Sequence, residues 1–268
     1  MSTYPEYKHI KLDWPAPHVL RLTLDNGRVN SMNYDLHHSI CEIWPIISRD
    51  HEVSVVIVTG AGDYFSAGGD FQETKKMPKD FDFFIEQVRD ARELVQNMMN
   101  CNKPIISAIN GPVAGAGLAV ALMSDFTIAG RSVTLCDGHT RLGIAAGDHA
   151  ALIWPLLMSF SKAKYYMMTC KSISAPEAER IGMLTECVDD GTEMERSLEI
   201  AEELKAVSQT ALRWTKMAMN GWLRQAWPIF EASSALESVG IFSPDLQEGL
   251  GGWLEKRPHN HKPDSPAG

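Results

Sequence analysis

The sequence predicts an α/β fold in which a core of alternating strands and helices is followed by a part built of helices. Strands and helices alternate between residues 19 and 129, which implies right-handed crossovers and a parallel sheet. From position 175 onwards the apolar spacing is almost entirely helical. We therefore expect a core domain over residues 1–190 and a helical C-terminal region over residues 191–257. Residues 258–268, rich in Pro and His, are expected to form a disordered tail.

Four strands are predicted in the core. Val19–Leu24 alternates between apolar and polar residues and ends at an Asp-Asn-Gly turn. Residues 53–59 form a nearly continuous β-branched run, which is typical of a strand buried on both faces. Residues 104–109 and 126–129 are the remaining strands, and each lies between two helical segments.

The helices are predicted from apolar residues that recur at intervals of three and four. These segments are residues 33–47, 82–100, 118–123, 175–182, 193–207, 209–225, 229–239 and 244–255. Near the end of the chain, several helical positions carry Trp or Met, namely Trp214, Met217, Met219, Trp222 and Trp227. We interpret them as a packing surface, within the subunit or against a neighbouring one, rather than as a ligand site.

Composition limits the classes of partner and of cofactor. A formal net charge of −9 leaves no basic surplus to neutralise nucleic-acid phosphates, although one local anionic ligand remains possible. The five cysteines include no C-x-x-C pair, so we expect no disulfide framework and no metal site. Neither a secretory signal nor a run of eighteen apolar residues is visible. We therefore expect a cytoplasmic protein without a membrane or nucleic-acid partner.

Two segments share one design, in which a buried strand runs into a turn of small residues and then a helix. They are residues 65–70 (Phe-Ser-Ala-Gly-Gly-Asp) and 110–118 (Asn-Gly-Pro-Val-Ala-Gly-Ala-Gly-Leu). Such turns let another molecule approach the backbone N–H groups, and two converging donors make an oxyanion hole. The dinucleotide and Walker glycine patterns are absent from both, which argues against phosphate-binding loops.

The order and spacing of these two segments resemble the double signature of the crotonase, or enoyl-CoA hydratase/isomerase, superfamily. The resemblance extends from residue 19 to residue 257, through Ser124-Asp125 and the helix start at residues 174–178. It implies a crotonase-like spiral ββα core, a helical trimerisation region and a homotrimer or hexamer. It also implies a small acyl-CoA substrate whose thioester carbonyl is held by the N–H groups of Gly69 and Ala116. Coenzyme A would then be part of the substrate, with no tightly bound cofactor.

The same resemblance assigns the contacts to coenzyme A. Ala67, Gly68 and Asp70 of the first segment would contact it, with Ala67 near the adenine. Lys256 or Arg257 would approach a phosphate of coenzyme A. The alternative for this basic pair is a solvated helix end.

The sequence departs from a typical hydratase of this family, which uses two glutamates as base and acid. Ala119 stands at the first of these positions and His139 at the second. The stretch from His139 to Asp148 is punctuated by glycines, so it can fold back and bring imidazole and carboxylate together. It resembles the corresponding segment of 6-oxocamphor hydrolase, a superfamily member that cleaves a β-diketone with water. The Gly-Ala-Gly-Leu of the second turn, by contrast, is similar to that of the CoA enzymes.

Each polar residue of this stretch also has a structural alternative. His139 is either a catalytic imidazole or one that packs against the backbone. Asp148 is either its carboxylate partner or the cap of a helix that begins near Ala150. We interpret Asp137 as a turn former and His149 as merely a neighbouring residue in the turn beside Asp148. Arg141 could pair with either aspartate.

Three functions follow from these patterns. The first is an enoyl-CoA hydratase/isomerase-like lyase or isomerase, in which His139 and Asp148 handle the proton or the water. The second is a hydrolase that opens a cyclic β-diketone by retro-Claisen cleavage, and the third is an inactive CoA-binding protein. We expect the walls of the acyl pocket at residues 81–84 and 222–230. The acyl group, the exact reaction and the choice between trimer and hexamer are not determined by these patterns.

Overall fold

A computed structural model describes residues 4–262 of the chain. Within that range residues 258–262 contain neither helix nor strand, and residues 263–268 of the predicted tail lie outside it. The strands are β1 Ile10–Ala16, β2 Val19–Leu24, β3 Val55–Gly60, β4 Ile105–Ile109, β5 Val113–Ala114, β6 Phe126–Gly130, β7 Thr134–Cys136, β8 Ile173–Ser174 and β9 Glu186–Val188.

Twelve α-helices are found among the described residues, with one short 3₁₀ turn at Met77–Lys79. They are α1 Tyr34–Arg49, α2 Phe71–Thr74, α3 Phe81–Asn100, α4 Gly115–Leu122, α5 His139–Leu142, α6 Ala150–Leu157, α7 Phe160–Thr169, α8 Ala175–Arg180, α9 Glu193–Lys205, α10 Gln209–Met219, α11 Gly221–Gly240 and α12 Pro244–Leu254. No helix of residues 4–262 is both long enough and apolar enough to cross a membrane.

The strands form two sheets. The larger has the order β1-β2-β3-β4-β6-β9, and all its pairs are parallel except the antiparallel pair β1–β2. The smaller has the order β5-β7-β8, and its first strand, β5, lies within the second small-residue segment. The predicted parallel core is therefore confirmed.

The central strand β3 is buried at every position, as its β-branched run predicts. Val56 and Val58 pack in the main core with α1 and α3, whereas Val55 and Ile57 pack with the apolar face of α9. Because successive side chains of a strand point to opposite faces, a strand covered by helices on both sides must be apolar throughout. Because β3 and β4 are parallel, their carboxyl ends lie at the same edge of the sheet. The two small-residue turns follow these strands at that edge.

The C-terminal part differs from the prediction in two places. We predicted a break between residues 225 and 229, but α11 runs through Pro228 and the chain breaks at Asn220 instead. Packing of α11 against α3 and α6, with Trp227 stacked on Phe230, outweighs the local preference of proline. The region after position 175 also contains the short strand β9, which pairs with β6 and whose three half-buried residues show no alternation.

Candidate active site

The two small-residue turns lie directly against each other. The N–H of Ala114 donates to the carbonyl of Ser66 at 2.9 Å, and Ser66 pairs with Val113 as an isolated β-bridge. Gly68 adopts a positive φ of 84°, and a Cβ there would lie 2.7 Å from the Ala114 carbonyl oxygen. Only glycine fits this conformation and this close approach. The contact therefore holds the first turn in a fixed position relative to the start of α4.

Each turn contributes one backbone N–H that has no acceptor in the described part of the chain. The residues on either side of Gly69 both bond to the backbone of Met32. The Gly68 carbonyl accepts from the Met32 N–H, and the Asp70 N–H donates to the Met32 carbonyl. Ala116 lies in the first turn of α4, where N–H groups have no partner within the helix, and Ala114 supplies no side-chain cap. Among residues 4–262, no group accepts a hydrogen bond from the amide of Gly69 or that of Ala116. Both residues line the same cavity, as an oxyanion hole requires.

This cavity has a volume of about 510 Å³ and is lined mainly by apolar side chains. The prediction for its walls was correct at Phe84 but wrong elsewhere, because Phe81 is 66% exposed and residues 222–230 do not line it. The C-terminal wall comes from the following turns of α11 and from α12. The apolar lining of the whole cavity includes Met32, Phe71, Met77, Phe84, Val88, Leu94, Val95, Leu142, Ile144, Ile241 and Trp253.

The residues assigned to coenzyme A separate into two groups. Ala67, Gly68 and Asp70 all line the cavity, and the carboxylate of Asp70 caps α2 by accepting from the N–H groups of Gln72 and Glu73. Lys256 is exposed beyond the end of α12 and does not line the cavity of its own subunit. Its neighbour Arg257 pairs with Glu248 and Glu255. Within one subunit, the basic pair is therefore not brought to the cavity.

His139 is held by Asp137. The Nδ1 atom of the imidazole lies 3.0 Å from both carboxylate oxygens, and the Asp137 side chain is fully buried. The backbone N–H of His139 also donates to Asp137 at 3.2 Å, so the aspartate shapes the turn as predicted but orients the imidazole as well. Arg141 pairs with neither aspartate, since it donates to the carbonyl of Cys170. Because Asp137 holds Nδ1, the other ring nitrogen, Nε2, is left to face other groups of the site.

The loop between His139 and Asp148 folds back as predicted. One oxygen of Asp148, Oδ2, lies 3.7 Å from His139 Nε2, slightly beyond hydrogen-bond length. The other, Oδ1, accepts from the backbone N–H and the Nδ1 of His149 at 2.6 and 2.7 Å. The capping interpretation of Asp148 is wrong, because the N-cap residue of α6 is His149, and Asp148 accepts from His149 rather than from the first N–H groups of the helix. His149, which is fully buried, instead orients the Asp148 carboxylate.

A third carboxyl group reaches this site from α11. Glu237 lines the cavity, and its Oε1 lies 3.6 Å from His139 Nε2. Sequence reasoning missed it because it is far from the loop along the chain. A signal was present, since Ser233, Ser234, Glu237 and Ser238 place small and polar side chains at helical spacing in a helix otherwise rich in large apolar residues.

These groups shift one another's proton affinities in opposite directions. Burial alone would lower the pKa of His139, but the carboxylates of Asp137 and Asp148 raise it well above the usual range. Burial would raise the pKa of Asp148, but His149 and His139 together hold it below its usual value. Burial is the main cause that raises the pKa of Glu237 to about 8, and Asp148 and Asp137 contribute to the increase. These shifts favour an imidazolium at His139, a carboxylate at Asp148 and a neutral carboxylic acid at Glu237 at neutral pH.

Potential metal ligands are also present in this cluster. Oxygen or nitrogen atoms of Asp137, Asp148 and His149 lie within 4.8 Å of one another. The two carboxylates are, however, bound to the imidazoles of His139 and His149. The arrangement is that of a proton-transfer network, and we assign no metal to it.

Comparisons with known proteins show what this chain is similar to. A family model described as enoyl-CoA hydratase/isomerase matches residues 16–264. A probable enoyl-CoA hydratase of Mycobacterium leprae is 30% identical over 93% of this chain and 88% of its own length. The 1,2-epoxyphenylacetyl-CoA isomerase of Escherichia coli is 28% identical over 89% of this chain and 93% of its own. The crystal structure of an enoyl-CoA hydratase/isomerase from Mycobacterium paratuberculosis superposes with a TM-score of 0.88 at 30% identity, covering 92% of this chain and 99% of that one.

Proposed function

Because this chain belongs to the enoyl-CoA hydratase/isomerase family, we propose that it is a lyase or isomerase acting on an acyl thioester of coenzyme A. The observation that carries the proposal is the pair of amides, Gly69 and Ala116, which have no acceptor within residues 4–262 and line one cavity with His139. Related proteins that are named for CoA thioesters support the same substrate class. The apolar lining of the cavity favours an apolar acyl group.

The proposed chemistry begins with the thioester carbonyl. The amides of Gly69 and Ala116 donate to its oxygen, and these bonds strengthen as negative charge develops on an enolate. The imidazolium of His139 adds positive charge beside the reacting carbons. The carboxylate of Asp148, held by His149 through one oxygen, uses the other to accept a proton from water.

Binding of a thioester ligand tests this proposal directly. Acetoacetyl-CoA carries an enolisable β-ketothioester, so we expect saturable binding in the micromolar range by isothermal titration calorimetry. Free coenzyme A should bind more weakly, because it lacks the carbonyl that the two amides would hold. The absence of saturable acetoacetyl-CoA binding at millimolar concentration would contradict the proposal.

A second candidate is hydrolysis of a cyclic β-diketone without coenzyme A. The imidazole of His139 beside the Asp148 carboxylate favours this hydrolysis. Retro-Claisen cleavage, like hydration, needs a water activated next to a stabilised enolate. Turnover of a bicyclic diketone, lost in His139→Ala, together with no affinity for acetoacetyl-CoA would select this function. The third possibility, an inactive CoA-binding protein, requires thioester binding without turnover of any thioester or diketone.

We also propose that the chain assembles as a homotrimer or a hexamer. Four large side chains are each more than half exposed, namely Trp214, Met217 and Met219 of α10 and Trp222 of α11. A second subunit would cover them. Sedimentation velocity should give a mass of three or six times 29.7 kDa for the wild-type protein. Replacing both tryptophans with glutamate should shift the protein to monomers, whereas monomeric wild-type protein would contradict the proposal.

A further inference from the structure

We propose that Glu237 is a second catalytic carboxyl group, which exchanges a proton with the α-carbon of the substrate while Asp148 serves the water. This inference rests on the proposed function, and it identifies a residue that replaces one of the two family glutamates. The two family positions supply no carboxyl group in this chain, since residue 119 is alanine and residue 139 is histidine.

The geometry sets Glu237 and Asp148 around one nitrogen. Glu237 Oε1 lies 3.6 Å and Asp148 Oδ2 3.7 Å from His139 Nε2, and all three residues line the cavity that contains Gly69 and Ala116. Two carboxyl groups that face one cavity beside an oxyanion hole are what addition of water across a C=C bond requires. Here the loop before α6 supplies the carboxyl group of Asp148 and α11 supplies that of Glu237. The two family positions, 119 and 139, lie instead on α4 and α5.

The surroundings of Glu237 keep it neutral. It is faced by the side chains of His139, Asp137 and Asp148 and by the backbone of Gly147, while His37 of α1 acts on Asp148. No lysine or arginine among the described residues forms an ion pair with it, in contrast to Glu231 on the same helix, which pairs with Arg92. Its pKa of about 8 lies above neutral pH, and that of Asp148 lies well below. Carboxyl groups with pKa values shifted apart in this way are suited to separate acid and base roles.

The reaction balances with these two groups. Asp148 takes one proton from water as the oxygen bonds to the β-carbon, which generates the enolate held by Gly69 and Ala116. Glu237 then gives its proton to the α-carbon, so the C=C bond has gained H and OH. His139 afterwards passes its Nε2 proton to the Glu237 carboxylate and takes the proton of Asp148, which restores the starting state without an additional reactant.

The test compares Glu237→Gln with Glu231→Gln, a control on the exposed part of the same helix. The first variant keeps the shape of the side chain but has no proton to give. With crotonyl-CoA as probe, we expect its kcat to fall by about a hundredfold or more while KM changes less than about threefold. The control should retain the wild-type values. A kcat within threefold of the wild type for Glu237→Gln would overturn the proposal.

Exchange with deuterium separates this role from that of Asp148. Butyryl-CoA has no double bond to hydrate, so loss of its α-hydrogen in D₂O reports proton transfer at the α-carbon alone. We expect Glu237→Gln to abolish this exchange and Asp148→Asn to retain it. Equal exchange rates in Glu237→Gln and the wild type would exclude Glu237 from the α-carbon step.

The protonation state can be checked without a substrate. We expect the wild-type protein at pH 7 to show the infrared carbonyl band of a protonated carboxylic acid, which disappears above pH 8 and is missing in Glu237→Gln. Hydration by the wild type should fall over the same range, because Glu237 loses the proton that it donates. If no thioester is turned over, the proposed function fails while this band still decides the state of Glu237. An unchanged band in Glu237→Gln would overturn the assignment.

Discussion

Replacing His139 with alanine is expected to lower kcat for the CoA thioester by about a hundredfold or more, the usual scale of general acid–base catalysis. The imidazole contacts Asp137 on one side and approaches both Asp148 and Glu237 on the other. In the proposed mechanism His139 returns the proton from Asp148 to Glu237, so the alanine variant would lack this carrier. The positive charge that favours the enolate is also lost.

A second substitution separates catalysis from folding. His139→Ala leaves the fully buried Asp137 carboxylate without its imidazole, which costs about 3 kcal/mol or more of unfolding free energy. In His139→Asn, the side-chain amide can donate to Asp137 from the place of Nδ1, but nothing stands in place of Nε2. We expect His139→Asn to unfold closer to the wild-type temperature and to remain as inactive as the alanine variant. Steady-state kinetics and thermal unfolding check this, and near-wild-type kcat in either variant would refute a catalytic His139.

Replacing Ala116 with proline should lower kcat by a factor of about 10² to 10³, because it deletes one of the two N–H donors of the proposed oxyanion hole. The loss corresponds to about 3 kcal/mol of transition-state stabilisation. Ala116 lies in the first turn of α4, where a proline is tolerated because its missing N–H has no helical partner there. The fold should therefore survive while the chemistry fails.

The matched control is Ala116→Gly, which keeps the N–H and removes only a methyl group. We expect this variant to retain kcat within a few-fold of the wild type. The comparison requires kcat, KM and the unfolding temperature of both variants. A proline variant that unfolds like the wild type and turns over at an undiminished rate would show that the amide of Ala116 does not stabilise the reacting oxygen.

Much of the fold was determined by local sequence patterns. The β-branched run of β3 and the two turns of small residues predicted a parallel α/β core, and both the family and the fold class are confirmed. Gly68 shows why the turns could be recognised, since only glycine fits its positive φ and its contact with Ala114. The break at Asn220 and the strand β9 were missed because packing, rather than local preference, decides them.

The polar site, like the fold, was only partly determined by local sequence patterns. The sequence by itself determined the backbone donors Gly69 and Ala116 and the fold-back between His139 and Asp148, because glycines and spacing encode turns locally. Only the tertiary structure decided that Asp137 contacts His139, that His149 contacts Asp148 and that Glu237 lies beside them. Glu237 lies on α11, and the packing of that helix against α3 and α6 places the carboxyl group at the cavity. Helical periodicity describes one helix at a time, so it carries no information about which distant loop that helix will meet.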